Sequence, residues 1–317
     1  MLVANNFALI DKFPRFDTPG FDIEAYNDTF RQSNVIINAS SSDVSYTEHW
    51  GCLSVKCAFG GTEMYKISDR YYAVTDDAYF ICNEGQYYSS FIAARKPVES
   101  FTINFTDAFV KQVKSSLYPD AKLLDDPGFI AGASCEFVEK LYRHSGGLNN
   151  SIARLRMLAK NFGENRGEVS ESYFPLLQNM LLSQGHILNE IKQVKAVKLS
   201  TQKELYKRLH HAKDYIESCF AGDVPLEKLA QISCLNSAYL LRNFKQYFGQ
   251  TPYQYLINKR MAVAAQLLVN TAMPVSEICF ETGYADVSSF CRLFKKTYSC
   301  SPENYRASKA KKVIFST

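Results

Sequence analysis

Two hydrophobic periods divide the chain. Between residues 53 and 105, short apolar runs alternate with turn residues. Leu53–Phe59 ends at Gly60-Gly61, Thr62–Ile67 at Ser68-Asp69-Arg70, Tyr71–Val74 at Asp76-Asp77, and Ala78–Ile81 at Asn83-Glu84-Gly85. Tyr87–Ile92 follows, and Val98–Phe105 alternates strictly. Runs this short, rich in β-branched and aromatic residues and bounded by Gly, Asn and Asp, predict strands of an antiparallel sandwich or small barrel. Upstream, residues 1–34 read as an irregular lead-in with a turn at Asp17-Thr18-Pro19-Gly20, and the polar stretch Asn38–Ser45 reads as a loop.

From Asp107 the period becomes helical. Phe109, Val113 and Leu117 stand at i, i+4 and i+8, and Phe129–Tyr142 and Ile152–Ala159 predict two further helices. Ser172–Val197 carries an apolar stripe through Leu176, Leu177, Met180, Leu181, Ile187, Leu188, Ile191 and Val194, with Gly185-His186 as a kink point. Such a stripe serves either core packing or a dimer interface between two copies. A boundary falls near Lys195–Ser200, after which Thr201 and Glu204 have the spacing of a capping box. The helix they open has one apolar face (Leu205, Leu209, Ala212, Ile216, Phe220) and ends at Gly222. The fold class read from this is α+β: a β-rich region at 1–106, a helical segment at 107–199 and an all-α region at 200–317.

The all-α region repeats itself. Arg242, Phe244, Lys245, Pro252 and Tyr255 recur fifty residues later as Arg292, Phe294, Lys295, Pro302 and Tyr305, and Pro225 recurs as Pro274 with an offset of forty-nine. In each copy a short helix (Leu226–Ile232; then Val275, Ile278 and Cys279) leads through a tight turn to a second helix. Asn236 caps the second helix of the first copy, which runs to Phe248, and Asp286 caps that of the second copy, which runs to about Tyr298. Gly283 sits in the second turn, where positive φ is cheap only for glycine. Ala230 and Cys279 are small where the paired helices cross. This is the helix-turn-helix arrangement. Leu240 and Phe244, then Phe290 and Phe294, face inward at i, i+4. The outward face shows Ser237, Ala238, Leu241, Arg242 and Lys245 in the first copy, and Val287, Ser288, Cys291, Arg292 and Lys295 in the second. Arginine bonds guanine edges or phosphates, and small apolar side chains meet thymine methyls. Between the copies, Thr251-Pro252 opens a helix running to about Val269, a spacer of roughly 25 Å. That suits two reading helices set near the ~34 Å repeat of adjacent major grooves.

Charge follows the same division. Residues 200–317 hold 16 Lys+Arg against 9 Asp+Glu, whereas residues 1–199 hold 20 against 23, so the basic excess of the chain lies with the repeat. A basic all-α region beside a mildly acidic remainder fits nucleic-acid binding by one region. Nine scattered cysteines without a C-x-x-C pair, and no Cys/His cluster, predict no metal site and no disulfide framework, and point to a reducing cytoplasm. No run of eighteen apolar residues and no signal-like N-terminus is present, so neither membrane nor secretion is expected.

The segment from about residue 203 to 308 resembles the DNA-binding domain of the AraC/XylS family of bacterial transcription regulators. The residues that carry the resemblance are Tyr255-Leu256, Arg260, Ala264 and Leu267-Leu268 on the spacer, then Val275, Glu277-Ile278, Gly283-Tyr284, Asp286, Ser289-Phe290, Arg292 and Phe294-Lys295-Lys296, and finally Ser301-Pro302 and Tyr305-Arg306. Cys234 stands in the first turn where the family often has glycine, and Ser299 where a glycine usually ends the second reading helix. The resemblance implies DNA contact by Ala238, Leu241 and Arg242, and by Ser288, Cys291 and Arg292, with double-stranded DNA as partner and RNA polymerase as a further partner if the protein is an activator.

By architecture alone, the resemblance implies a cupin-like N-terminal domain, a helical dimerisation segment and a homodimer. A small effector would then bind among Tyr65, Tyr72, Phe80, Tyr88, Phe91 and Phe101, although core packing is the plainer role for most of these. The alternative is an effector-independent regulator whose N-terminal domain only dimerises. A cupin-like metal enzyme is remote: the strand region has one histidine, His49 beside Glu48, while His210-His211 are adjacent and diverge by about 100° on a helix. With no phosphate loop and no Gly-x-Ser-x-Gly elbow, no catalytic role and no cofactor are expected.

Overall fold

The computed structural model describes residues 6–16, 18–117, 136–144, 146–196 and 198–314. The fold is mixed, β-rich toward the N-terminus and helical toward the C-terminus. The chain divides into two compact units, Met1–Lys207 and Arg208–Thr317.

In the first unit, strands β1 (Asn6–Ile10), β2 (Ser33–Gly51), β3 (Ser54–Phe59), β6 (Ala78–Cys82), β7 (Gln86–Asn104) and β8 (Leu141–Arg143) lie in the order β1-β2-β7-β3-β6-β8. β4 (Glu63–Ile67) also pairs with β7 and carries β5 (Arg70–Val74). β1 runs parallel to β2, and the other pairings are antiparallel.

Four expectations for this unit are corrected. The stretch 38–45 is not a loop but part of β2, laddered to β7 with Asn38 opposite Phe101 and Ser45 opposite Phe91. Its serines are exposed or half-buried on both faces while Ala39 is buried, so their polarity marks a solvent-edged stretch of strand rather than a break. Tyr87–Ile92 and Val98–Phe105 are one strand, β7, because the exposed residues 93–97 between them interrupt the apolar pattern without ending the ladder. The lead-in is not irregular: it contains β1 and helix α1 (Ile23–Gln32), whose Asp22 cap accepts from the Ala25 N–H at 2.9 Å. None of the α1 residues is buried, and its apolar stripe is only three residues long, Ile23, Tyr26 and Phe30. Of the helix expected over 129–142, residues 129–135 lie outside the described residues. The described remainder ends in β8, whose Tyr142 stacks on Tyr79 at 5.4 Å.

Helices α2 (Asp107–Leu117), α3 (Gly146–Ala159) and α4 (Phe162–Lys192) belong to this unit. The Tyr173 ring on α4 meets Phe7 at 4.9 Å, Phe105 at 5.5 Å and Phe109 at 6.1 Å, joining β1, β7's end and α2 at one aromatic node. The apolar stripe of α4 is taken up by the unit's own core: Leu176, Leu177, Met180, Leu181, Ile187 and Ile191 are buried, and the helix continues through Gly185-His186. Helix α5 (Leu199–Cys219) begins two residues before Thr201, so that residue does not cap it. The Gln202 amide instead donates to the Val194 and Ala196 carbonyls, each at 3.0 Å.

The second unit is all helical: the end of α5, then α6 (Leu226–Ile232), α7 (Ser237–Phe248), α8 (Pro252–Asn270), α9 (Val275–Glu281), α10 (Val287–Tyr298) and α11 (Pro302–Ile314). The spacer α8 opens with a capping box between Thr251 and Gln254 and Pro252 at its first turn. Met261, Ala264 and Leu268 of α8 pack against Ile278, Cys279, Phe290 and Phe294. The spacer is therefore part of the second helix-turn-helix core rather than a free rod.

Candidate nucleic-acid interface

The two turns are built alike. Leu235 N–H donates to the Ala230 carbonyl at 2.9 Å in the first, and Tyr284 N–H to the Cys279 carbonyl at 3.0 Å in the second. A buried hydroxyl stands at the same place in both: Ser233 donates to the Leu229 carbonyl and Thr282 to that of Ile278, each at 2.7 Å. The next residue is left-handed in both, with φ +50° at Cys234 and +80° at Gly283. The reading helices also end alike, with φ +74° at Gly249 and +61° at Ser299. Cysteine and serine thus take the glycine conformation, and the backbone course is kept. Each reading helix has a side-chain cap. Asn236 accepts from Tyr239 N–H at 2.8 Å, and Asp286 accepts from Ser289 N–H at 2.7 Å and Ser288 N–H at 3.2 Å. The Ser289 side chain and these two N–H groups hold the Asp286 carboxyl below its usual range.

On α7, Leu240 and Phe244 are fully buried, whereas Ala238, Leu241, Arg242 and Lys245 are exposed at helical spacings of three, one and three, one face of the helix. Ser237 is half-buried at the helix start. On α10, Phe290 and Phe294 are buried, Ser288, Arg292 and Lys295 are exposed, and Val287 and Cys291 are half-buried. The five residues expected on α7 therefore share the side away from the core, whereas on α10 only Ser288, Arg292 and Lys295 do, because Val287 and Cys291 are drawn against the hydrophobic core of that unit. The Arg242 guanidinium lies 5.3 Å from the Tyr239 ring, and Arg292 donates to the Ser289 hydroxyl at 3.2 Å. Neither is held in a salt bridge, so both can turn to acceptors from outside. Gln246 and Lys296 are exposed beside these faces and widen the candidate surface.

Two arginines of the same region do something else. Arg260 on α8 donates to the Phe220 carbonyl at 2.7 Å and the Gly222 carbonyl at 2.8 Å, past the end of α5, and lies 5.2 Å from the Tyr284 ring. Arg306 on α11 likewise donates to the Leu268 carbonyl in the last turn of α8 and to the Met273 carbonyl beyond it. Both satisfy carbonyls that a helix end leaves without partners. Sequence spacing does not separate these arginines from Arg242 and Arg292, because the acceptors lie 33–40 residues away in the chain.

The first unit holds a cavity of about 290 Å³ between the sheet and α1, whose Ile23, Tyr26, Asn27 and Phe30 cover it. Of the residues expected to meet an effector, Tyr65 and Tyr88 line it. Tyr72, Phe80 and Phe101 do not; they are buried in the core, with the Tyr72 hydroxyl donating to Glu139 at 2.6 Å. Phe91 is half-buried and also stands outside the lining. Instead the cavity is floored by polar groups that aromatic periodicity does not reveal: Lys56, Glu63, Ser100 and Thr102, each 3% exposed or less. A lysine in the middle of the apolar run 53–59 was the sequence sign of a buried charge. His49 and Glu48 also line the cavity, and burial lowers the His49 pKa. Among the described residues no three His, Cys, Asp or Glu side chains are grouped to hold a metal ion, and no helix is long and apolar enough to cross a membrane.

Comparison with known proteins places the similarity in the second unit. Residues 229–308 match the helix-turn-helix domain family. A transcriptional regulator of Haemophilus influenzae, described only as HTH-type, is 35% identical over 102 residues, which is 32% of this chain and 34% of that protein. The transcriptional activator RhaS of Enterobacter sp. is 34% identical over 99 residues, covering 31% and 36%. The lactose operon transcription activator of Staphylococcus xylosus is 32% identical over 98 residues, covering 31% and 35%. The chain thus spans about a third of the length of the curated relatives it matches. Among solved structures, the C-terminal domain of AraT, a response regulator from Geobacillus stearothermophilus, is 34% identical and covers 33% of this chain and 87% of that one, with a TM-score of 0.32. With the two capped reading helices and the matched turns, residues 229–308 form a helix-turn-helix domain of the AraC type, the DNA-binding domain of AraC/XylS transcription regulators.

Proposed function

We propose that this chain is a sequence-specific transcription regulator whose helices α7 and α10 enter adjacent major grooves of double-stranded DNA. The observation that carries this reading is the pair of matched turns, each presenting a capped helix with an exposed arginine on its outward face. Ser237, Ala238, Leu241, Arg242 and Lys245 form the first contact set, and Val287, Ser288, Cys291, Arg292 and Lys295 the second. Arg242 and Arg292 read base edges, Leu241 meets thymine methyls, and Lys245 and Lys295 bond phosphates. Two relatives are named as activators, which supports activation, with RNA polymerase as partner, in the cytoplasm. Selecting bound fragments from genomic DNA tests this: recovery of one shared motif is expected, and indiscriminate recovery overturns sequence-specific reading.

In the same proposal, residues 200–317 are the DNA-binding domain, residues 1–106 a cupin-like sensor, and residues 107–199 a segment that joins two copies. The exposed Met157 on α3 and Leu182 on α4, beside a stripe that is otherwise largely buried, support such a joining face. Sedimentation at micromolar concentration should give a dimer; a monomer overturns this part. A regulator without an effector is the second reading. The cavity beneath α1 favours a sensor, because its floor holds a buried lysine, Lys56, and a buried carboxyl, Glu63, one of whose oxygens has no hydrogen-bond partner.

A further inference from the structure

Lys56 and Glu63 line one cavity, each 3% exposed. They carry opposite charge but form no ion pair with each other. Lys56 Nζ donates to the Tyr88 hydroxyl at 2.8 Å and lies 4.6 Å from the Tyr88 ring and 5.9 Å from that of Tyr65. Its remaining N–H groups have no side-chain carboxylate. On the other side, the Ser100 and Tyr65 side chains hydrogen-bond the Glu63 carboxyl, but its Oε2 is buried with no hydrogen-bond partner. Burying charge is costly unless all of its polar atoms find partners, so a buried lysine and a carboxyl with one open oxygen lining the same cavity mark a place built for something else.

From this we propose that the cavity binds a small zwitterion of the amino-acid class, its ammonium on Glu63 and its carboxylate on Lys56. The proposal rests on the sensor reading of the first unit. A ligand with both charges satisfies both side chains at once. A simple amine or a simple acid would dehydrate the second charge without pairing it. Charge-assisted bonds also exceed those a neutral hydroxylated molecule could make to the same groups. Size agrees, since about 290 Å³ lies at the low end of small-molecule pockets, roughly 300–1,000 Å³. The rings of Tyr26, Phe30 and Tyr46 toward the cover suit an apolar or aromatic side chain on the ligand.

The test is thermal unfolding and calorimetry of the full chain with each of the twenty common L-amino acids. At least one, of apolar or aromatic side chain, should raise the midpoint by several degrees at a hundredfold excess over its Kd. For that amino acid, the matched amine without the carboxylate and the matched acid without the amine should each bind at least tenfold more weakly. Glu63→Gln and Lys56→Met, checked for an unchanged circular dichroism spectrum, should each lose at least tenfold. No shift with any amino acid, equal binding of either half-molecule, or full binding by both variants overturns the proposal. Because the half-molecules are measured on the unaltered protein, the test does not depend on the variants folding. Retention of the same preparation on genomic DNA is measured in parallel. DNA binding without any amino-acid effect sinks this inference alone, and an amino-acid effect without DNA binding sinks the regulator reading alone.

Discussion

Cys234 and Gly283 hold the same place in their turns, both left-handed, but only Gly283 is also confined by space. A Cβ on Gly283 would stand 2.5 Å from the Ala221 carbonyl oxygen and 2.9 Å from Arg260. Cys234 bears its Cβ in the open, and its carbonyl accepts from Arg208 at 2.8 Å. Cys234→Gly should therefore stabilise the protein by about 0.5–1 kcal/mol, the strain it relieves less the entropy glycine adds to the unfolded chain. Gly283→Ala should cost about 2 kcal/mol or more, since backbone strain and overpacking act together. Urea unfolding of the two variants checks this, and equal destabilisation by both would show that the turns are not equivalent.

Arg242→Ala and Arg292→Ala should each weaken binding to the selected DNA motif by about 1–3 kcal/mol and relax preference at the bases they touch. An equal loss on random DNA would make them phosphate contacts. Lys295→Ala should lower the slope of log K against log salt by about one, because each phosphate contact releases counterions. Affinity measured across a salt series decides it.

Arg260 should behave otherwise. Its guanidinium is committed to the Phe220 and Gly222 carbonyls. Arg260→Ala should lower stability by about 2 kcal/mol while leaving base preference unchanged. A changed motif with unchanged stability would move Arg260 to the reading surface.

Asp286 gives the second reading helix an acid sensitivity. Its folded pKa lies below the ordinary aspartate range because hydrogen bonds from Ser289 and Ser288 favour the carboxylate. The contribution is present above the unfolded pKa and is lost as pH falls through the depressed folded value. Unfolding midpoints followed from pH 6 downward should drop less steeply for Asp286→Asn than for the parent chain. Identical profiles would show that the cap does not titrate in this way.

The second unit was legible because its determinants are local. Asn236, Thr251 and Asp286 announce helix starts within a few residues, and buried pairs such as Leu240 and Phe244 set each helix face. The first unit was less so because its determinants are distant. The serines of β2 belong to a strand only through β7, 46 to 59 residues away. Helix α1 has a short apolar stripe, Ile23, Tyr26 and Phe30, but it covers a cavity instead of packing into the core, and it is hemmed by polar residues. The same distance hid the cavity: Lys56, Glu63 and Thr102 meet only once β3, β4 and β7 are assembled, whereas the aromatic residues chosen for it include several that the core absorbs.

The central claim is that one chain reads two grooves. Methylation interference and hydroxyl-radical footprinting of the full chain on its selected motif test it most directly. Two major-groove contact segments are expected on one face of the duplex, about one helical turn apart, with Arg242→Ala erasing one and Arg292→Ala the other. A single contact segment, or loss of the same segment in both variants, would contradict it.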